Sequence, residues 1–300
     1  MFERFMNYVE IRTKITSLFA FLITVAFIFY MGKPINWKLT LVFFASMFIF
    51  DLTTTAINNY IDTKTNHQKL SFDRKAALAI IFSLLGISTA LGLYLAYLTD
   101  IVVLMLGGVC FICGVFYTFG PVPISRQPLG ELFSGIFYGF FIPFILLYIN
   151  LPEGTFLSLK LSLQTISLDL NILPIAKAVL LSIIPMCTTA NIMLANNICD
   201  VEKDIIVKRY TLPYYLGTKA LYLFAALYYI CYIDIILMVL FGIISPVCLV
   251  ALVTVFFVQK NINRFFRLQD KSKTFVCSIK NYVIIMASST LVIFISAFIG

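Results

Sequence analysis

The amino-acid sequence predicts an all-α integral membrane protein with about nine transmembrane helices around a central cavity. Hydrophobic residues make up 61% of the 300-residue chain, and charged residues make up only 12%. A soluble domain carries about 25% charged residues, so this composition indicates that the chain is solvated by lipid. A single histidine excludes a histidine-rich zinc site, and seven cysteines, most of them in apolar runs, indicate no disulfide framework. We expect one transmembrane domain over residues 1–300.

Nine apolar runs approach or reach the length that crosses a bilayer. A hydrocarbon core about 30 Å thick needs about 20 apolar residues in a helix. The runs cover approximately residues 15–31, 39–61, 76–98, 101–119, 132–149, 175–198, 220–243, 245–259 and 282–299. Lipid offers the backbone no hydrogen-bond partner, so each run is expected to form a helix.

Individual runs carry further signals. The first run is expected to remain as a span, because no small-residue cleavage site follows it and Gly32-Lys33-Pro34 ends it. Pro143 and Pro185 fall inside the fifth and sixth runs, where neighbouring helices can satisfy the freed carbonyl groups. The eighth run is short and could be tilted or partly interfacial. Residues 150–174 are expected to form an external loop that could contain an interfacial helix.

The placement of lysine and arginine predicts an orientation. With the N-terminus in the cytoplasm, 18 of the 22 basic residues fall in cytoplasmic segments and 4 in external ones. Basic residues are enriched in cytoplasmic loops of membrane proteins. We therefore expect a cytoplasmic N-terminus and an external C-terminus. The expected location is a bacterial cell membrane. The net charge of +8 then reflects membrane topology, and no nucleic-acid partner is expected.

A polar motif is repeated at the ends of the second and sixth runs. Residues 58–66 and 196–204 share the pattern N-N-x-x-D-x-x-x-[N/D], 138 residues apart. The spacing of four places three polar side chains on one face of each helix. They are Asn58, Asp62 and Asn66 in the first copy and Asn196, Asp200 and Asp204 in the second. A single polar helix end could simply meet water, but two copies with the same spacing favour a functional site in a parallel repeat.

These oxygen-bearing side chains predict a site for magnesium and phosphate. Asp51 continues the first polar face into the apolar run, where a carboxylate costs about 2.5–3.5 kcal/mol, so these groups should face an internal cavity. Asn and Asp oxygens suit Mg²⁺, which usually keeps coordination positions for substrate phosphates. Four nearby cations could contact phosphate oxygens, namely Lys64, Lys203, Lys208 and Arg209. A magnesium-loaded mouth over an apolar interior indicates a lipid diphosphate.

The two motifs resemble the Asp-rich motifs of the intramembrane aromatic prenyltransferases, the UbiA superfamily. The second copy continues through residues 208–212 as K-R-Y-T-L and is similar to the corresponding run of the 1,4-dihydroxy-2-naphthoate polyprenyltransferases, the menaquinone branch. Residues 117–123, Y-T-F-G-P-V-P, and the following Leu129-Gly130-Glu131 also resemble a segment of that branch. The resemblance covers essentially the whole chain.

The resemblance implies an activity and a set of site residues. It implies Mg²⁺-dependent transfer of a polyprenyl group from polyprenyl diphosphate to the aromatic acceptor 1,4-dihydroxy-2-naphthoate, giving demethylmenaquinone inside the membrane lipid. The implied metal ligands are Asn58, Asp62, Asn66, Asn196, Asp200 and Asp204. The implied diphosphate contacts are Asn58, Lys64, Asn196, Lys208, Arg209 and Lys14. Asp62, Asp200 and Asp204 would be catalytic, and Tyr117 would shield an allylic cation by a cation–π contact.

Four positions depart from the family pattern and leave alternatives open. Asn66 and Asn59 stand where Asp is common, Cys199 where Arg is frequent, and Lys208 where Gly is usual. The acceptor could therefore be 4-hydroxybenzoate, a haem or a chlorin on the same fold. A cation-coupled transporter is a further alternative. Its acidic residues would cluster near mid-membrane, whereas most of these residues lie at predicted cytoplasmic helix ends.

Overall fold

The chain folds into α-helices and one short β-hairpin. The computed structural model describes residues 2–65, 70–120, 123–162 and 164–299, with the side chains of residues 64, 65 and 161 left out of the description. The helices are α1 (Phe2–Tyr8), α2 (Ile15–Tyr30), α3 (Trp37–Thr65), α4 (Arg74–Leu98), α5 (Ile101–Phe116), α6 (Gly130–Ile136), α7 (Ile142–Asn150), α8 (Ile172–Ile206), α9 (Leu212–Leu216), α10 (Lys219–Leu240), α11 (Val255–Arg267) and α12 (Val276–Ser296). The strands are β1 (Leu157–Leu161) and β2 (Ile166–Leu170).

Eight helical segments of the described chain are long and apolar enough to cross a membrane. They are Ile11–Tyr30, Trp37–Thr63, Arg74–Leu98, Gly130–Asn150, Ile172–Ile206, Lys219–Leu240, Pro246–Arg267 and Val276–Ser296. The predicted all-α membrane fold is thus confirmed. The remaining predicted run corresponds to α5, an apolar helix of 16 residues, so a count of nine crossings stays a prediction.

Several spans combine different helical geometries. Span Gly130–Asn150 consists of α6, a π-helical turn over Phe137–Phe141, and α7. The predicted short eighth run is longer in the structure, because a 3₁₀ segment over Pro246–Thr254 leads directly into α11. Within the π-helical turn, Gly139 faces the backbone of α8, and a Cβ atom there would lie 2.2 Å from the Met186 backbone nitrogen. Glycine at this position lets the two helices approach closely.

The main core surrounds α8, which packs against α6, α7, α10 and α12. Its fully buried members include Leu181, Ile184 and Leu194 of α8, together with Phe224 and Tyr282 of neighbouring helices. A smaller apolar cluster joins the N-terminal segment to α3. There, the Tyr8 hydroxyl donates a hydrogen bond of 2.9 Å to the carbonyl oxygen of Ala56, which fixes the N-terminal segment beside the polar end of α3.

The connection between α7 and α8 differs from the sequence expectation. Residues 150–174 contain a β-hairpin rather than an interfacial helix, and that part of the prediction was wrong. The two strands pair antiparallel, with Leu157 opposite Leu170 and Leu161 opposite Ile166. Apolar and polar residues alternate along L-S-L-K-L and I-S-L-D-L, and this period of two fits a strand rather than a helix.

Candidate active site

A cavity of about 950 Å³ opens between the helices. Its lining is contributed by the start of α2 and by α3, α4, α5, α6, α7 and α8, and it is mostly apolar. Three stacked phenylalanines, Phe133, Phe137 and Phe141, form part of one wall, with successive ring centroids 5.7 and 5.0 Å apart. One set of lining residues is polar: Asn58, Asp62, Asn196, Arg209 and Lys271. The cavity therefore joins a polar end to an aromatic interior.

The first polar stripe contributes two of its predicted residues to the cavity. Asn58 and Asp62 both line it, from the C-terminal part of α3. The Oδ1 atom of Asn58 accepts a hydrogen bond from the Thr118 hydroxyl, which fixes the direction of the Asn58 amide. Asn66 and the side chain of Lys64 lie outside the described residues.

The second polar stripe is joined to the loop between α11 and α12. Asn196 lines the cavity from α8, and Asp200 lies one turn further along the same helix. The Lys271 ammonium group donates to Asp200 Oδ2 at 2.6 Å and also to Asn196 Oδ1. Lys203 lies further from Asp200, with its Nζ atom 3.9 Å from Oδ1, and its side chain is exposed. The described structure thus places a positive charge directly between Asn196 and Asp200.

The second Asn of each motif forms a hydrogen bond to a neighbouring element. Asn59 donates from Nδ2 to the carbonyl oxygen of Tyr8 at 2.8 Å, which ties α3 to the N-terminal segment. Asn197 donates from Nδ2 to Glu131 Oε1 at 2.9 Å, which ties α8 to α6. Adjacent helical residues point about 100° apart, so the second Asn of each motif can reach an adjacent element, and Asn59 lines the cavity as well.

Arg209 links the two polar stripes. Its Nε atom donates to the carbonyl oxygen of Ser125 at 2.8 Å, and its Nη1 atom lies 3.9 Å from Asp204 Oδ1. Arg209 and Asp62 of the other stripe line the same cavity. Asp204 is buried, and its Oδ2 atom has no hydrogen-bond partner among the described residues. The two sequence motifs therefore meet around one arginine at one end of the cavity.

The backbone that presents Arg209 explains one departure from the family pattern. Lys208 adopts a left-handed conformation, with φ of 55°, just after the end of α8. The Lys208 amide donates to the Ile205 carbonyl at 3.0 Å and the Arg209 amide to the Asp204 carbonyl at 2.8 Å. These two bonds form a Schellman motif, in which glycine is the usual left-handed residue. The Lys208 side chain is exposed and is not among the cavity-lining residues.

Lys14 is held at the cavity wall by a buried ion pair. Its Nζ atom lies 2.8 Å from Asp51 Oδ1, and the two side chains are only 4% and 5% exposed. The ammonium group also donates to the Asp51 carbonyl oxygen and to the Thr55 hydroxyl, so three hydrogen bonds account for its three protons. Asp51 accepts further bonds from Ser17 and Tyr138, each at 2.7 Å. The predicted internal position of Asp51 fits this arrangement, and the diphosphate contact of Lys14 stays a prediction.

Tyr117 lines the cavity directly after the last residue of α5. Its hydroxyl oxygen is buried and has no hydrogen-bond partner among the described residues. Gly130 packs against it, and a Cβ atom at Gly130 would lie 3.1 Å from the Tyr117 oxygen. The position is compatible with the predicted shielding of a cationic substrate group.

The donor set at the polar end suits a magnesium ion that is shared with a ligand. Among the described residues, no group of three or more His, Cys, Asp or Glu side chains is close enough to hold a metal ion by itself. The oxygens of Asn196 and Asp200 nevertheless already hold a cation, the Lys271 ammonium group. Asn and Asp oxygens are hard ligands, and Mg²⁺ commonly completes its coordination with substrate phosphates and water. The residues therefore fit magnesium bound together with a diphosphate.

A family comparison identifies the architecture. The model of the UbiA prenyltransferase family matches residues 18–284. The chain belongs to the UbiA prenyltransferase family. Among UbiA relatives, it is 31% identical over 173 residues to the 1,4-dihydroxy-2-naphthoate octaprenyltransferase of Bacillus subtilis (strain 168). That alignment covers 57% of this chain and 49% of the relative, so the chain spans about half the length of the relative.

Solved structures share the UbiA fold over nearly the whole chain. Digeranylgeranylglyceryl phosphate synthase superposes with a TM-score of 0.64 at 15% identity, covering 100% of this chain and 99% of that one. A UbiA homolog from Archaeoglobus fulgidus bound to DMAPP and Mg²⁺ gives a TM-score of 0.60 at 14% identity, covering 97% and 99%. At these identities the similarity shows a common fold.

Several residues of this site were missed by sequence reasoning. Lys271 was counted only as a loop charge, although it contacts Asp200 across 71 positions of the chain. Thr118 and Glu131 were part of the family resemblance without an assigned contact. The sequence carries no local signal for these pairings, because they depend on how distant helices pack.

Proposed function

We propose that this UbiA-family protein transfers a polyprenyl group from polyprenyl diphosphate to 1,4-dihydroxy-2-naphthoate, giving demethylmenaquinone in its quinol form. The observation that carries the proposal is one cavity that is lined by Asn58 and Asp62 of the first motif and Asn196 of the second, and that continues into an aromatic interior. A polyprenyl diphosphate has the same division into a charged head and an apolar chain. The relative from Bacillus subtilis supports naphthoate as the acceptor.

The polar end of the cavity would bind the diphosphate and hold it for bond cleavage. Magnesium would be held there by Asn58, Asp62, Asn196, Asp200 and Asp204. It would neutralise charge on the leaving diphosphate. Arg209 would contact the diphosphate oxygens with its terminal guanidinium nitrogens, while its bond to Ser125 keeps the group in place. The C–O bond then breaks, and its electron pair leaves with the diphosphate.

Lys271 would exchange partners when the substrate enters. In the structure its ammonium group is bonded to oxygens of Asn196 and Asp200, which we assign to the metal. A metal ion at those oxygens would repel the ammonium group, and the diphosphate would attract it. The loop between α11 and α12 allows this exchange, since it carries Lys271 at the cavity lining with its side chain partly exposed.

The aromatic interior would control the fate of the allylic cation. The Tyr117 ring and the stacked Phe133, Phe137 and Phe141 rings offer negative π-faces, which stabilise cations. The apolar lining would keep water away from the cation, so that the acceptor ring is the available nucleophile. A ring carbon of the acceptor forms the new C–C bond, and the carboxyl group leaves as CO₂ with its bonding electrons retained by the ring.

The proposed orientation places the polar end of the cavity at the cytoplasmic face of a bacterial cell membrane, with an external C-terminus. Asn58 and Asn196, near the C-terminal ends of α3 and α8, line the same cavity, which supports a parallel arrangement of the two helices. Parallel helices require an odd number of crossings between them. The span Arg74–Leu98 and the span Gly130–Asn150 supply two, so we propose that α5 is the third and that the chain crosses nine times.

The test is an acceptor assay on purified protein in detergent with polyprenyl diphosphate and Mg²⁺. We expect diphosphate release and a prenylated product with 1,4-dihydroxy-2-naphthoate, and loss of both when the metal is chelated. Turnover with only 4-hydroxybenzoate would contradict the acceptor assignment. Absence of turnover with every aromatic acceptor, combined with ion-driven uptake in proteoliposomes, would favour the transporter alternative.

A further inference from the structure

The β-hairpin between α7 and α8 has one apolar and one polar face. Side chains of directly paired residues share a face, and successive residues alternate between faces. The register therefore places Leu157 with Leu170 and Leu159 with Leu168 on one face, to which Ile166 of β2 also belongs. The other face carries Ser158 with Asp169 and Lys160 with Ser167. Four leucines and one isoleucine thus form the described part of the apolar face of the hairpin.

The apolar side chains of β2 are exposed in the described structure, whereas Leu157 and Leu159 of β1 are half-buried. On β2, Ile166 is 76% exposed, Leu168 is 54% exposed and Leu170 is 55% exposed. The base of the hairpin is nevertheless fixed. Phe156 is buried against Phe144 of α7, and the backbone amide of Asn171 donates a hydrogen bond of 2.8 Å to the Phe156 carbonyl oxygen. The hairpin is therefore a firmly anchored projection whose apolar face needs an occupant.

The hairpin lies at the membrane face opposite the polar end of the cavity. It directly precedes α8, which begins at Ile172 and carries Asp200 near its other end. At about 1.5 Å per residue, those two residues lie about 42 Å apart along the helix, more than the thickness of a hydrocarbon core of about 30 Å. The first residues of α8 continue the apolar surface, since Ile172 is 81% exposed and Leu173 is 68% exposed.

We propose that the apolar face of this hairpin inserts into the lipid interface at the membrane face opposite the polar end of the cavity. Its apolar surface is continuous with the lipid-facing start of α8, and its reverse face carries Lys160 and Asp169, which suit headgroups and water. A second copy of the chain is a poorer occupant. Two five-residue strands present a face of roughly 17 by 10 Å, whereas a stable protein interface buries about 800 Å² on each partner.

Single tryptophans on the two faces of β2 test this proposal in the full-length protein. Trp37 is the natural tryptophan of the chain, so Trp37→Phe provides a background without tryptophan. Leu168→Trp and its neighbour Asp169→Trp are then compared in vesicles that contain brominated lipids. We expect blue-shifted emission and several-fold stronger quenching for Leu168→Trp, with strongest quenching by bromines in the upper acyl chain, because interfacial elements lie about 5–10 Å deep.

The outcomes separate lipid from other occupants. Equal quenching of the two tryptophans, or weak quenching with solvent-like emission at Leu168→Trp, would overturn the proposal. Blue-shifted emission without quenching would indicate burial against protein, such as a second copy, and would also overturn it. If either variant fails to remain monodisperse, Ile166→Trp and Ser167→Trp repeat the comparison on adjacent residues of the same strand. None of these readouts depends on prenyl transfer.

Discussion

The contact between Lys271 and the second polar stripe leads to a prediction with two effects of opposite sign. Lys271 Nζ lies 2.6 Å from Asp200 Oδ2, and both side chains are partly exposed. Lys271→Met keeps the length of the side chain and removes its charge. Metal binding without diphosphate should become tighter, because the ammonium group no longer competes for the oxygens of Asn196 and Asp200. Binding of polyprenyl diphosphate should become weaker, because a cation that would contact it is lost.

The size of the metal effect follows from the ion pair that has to be broken. An ion pair with this degree of exposure is worth up to about 1 kcal/mol, which corresponds to about a fivefold change in affinity. Removal of a positive charge beside the metal adds to this change in the same direction. We therefore expect roughly fivefold tighter binding of Mn²⁺, used as a spectroscopic substitute for Mg²⁺, together with a raised KM for polyprenyl diphosphate.

The assay is a Mn²⁺ titration of purified protein in detergent without diphosphate, followed by electron paramagnetic resonance. Lys273→Met is the matched control, because Lys273 lies in the same loop and is exposed. The control should bind Mn²⁺ like the unmodified protein. Unchanged or weaker Mn²⁺ binding by Lys271→Met would refute the partner exchange, and so would an equal effect of both substitutions.

Three further predictions concern the first stripe, the end of α8 and the core. Asp62→Ala should abolish diphosphate release in the acceptor assay while the protein remains in the membrane fraction, and near-normal turnover would contradict a role for the first stripe. Lys208→Gly should raise the free energy of unfolding by about 1 kcal/mol, because glycine adopts the left-handed conformation at this helix end without strain. Chemical unfolding in detergent measures this change, and a loss of stability would show that the lysine side chain compensates for its backbone conformation. Asp234→Leu should raise the free energy of unfolding by about 1–3 kcal/mol with unchanged turnover, since both carboxyl oxygens of Asp234 are buried without a hydrogen-bond partner among the described residues. Destabilisation of this variant would indicate a partner such as buried water.

The membrane class and the order of the helices could be predicted from sequence because both depend on local composition. An apolar run of suitable length forms a helix in lipid wherever it lies in the chain, and the spacing of four puts Asn58 and Asp62 on one face regardless of neighbours. The residues at which each helix begins and ends were less predictable. The run at 175–198 became the much longer Ile172–Ile206, since a helix continues through polar residues when neighbouring elements satisfy them.

The hairpin shows that a local signal can also be misjudged. The alternation of leucine with polar residues over β1 and β2 was present in the sequence and favours strands. A loop that could contain an interfacial helix was expected for residues 150–174, although an interfacial helix does not fit the alternation of apolar and polar residues. The error therefore lay in the interpretation of a local pattern that was available.

The partners of the polar side chains were decided only by the tertiary structure. The spacing of the motifs predicted which residues share a face, but it did not predict that Asn59 and Asn197 form hydrogen bonds to neighbouring elements. It also did not predict that Lys271 lies on the second stripe. Helical periodicity acts over a few residues and is encoded locally, whereas a contact between residues 71 positions apart depends on the packing of whole helices.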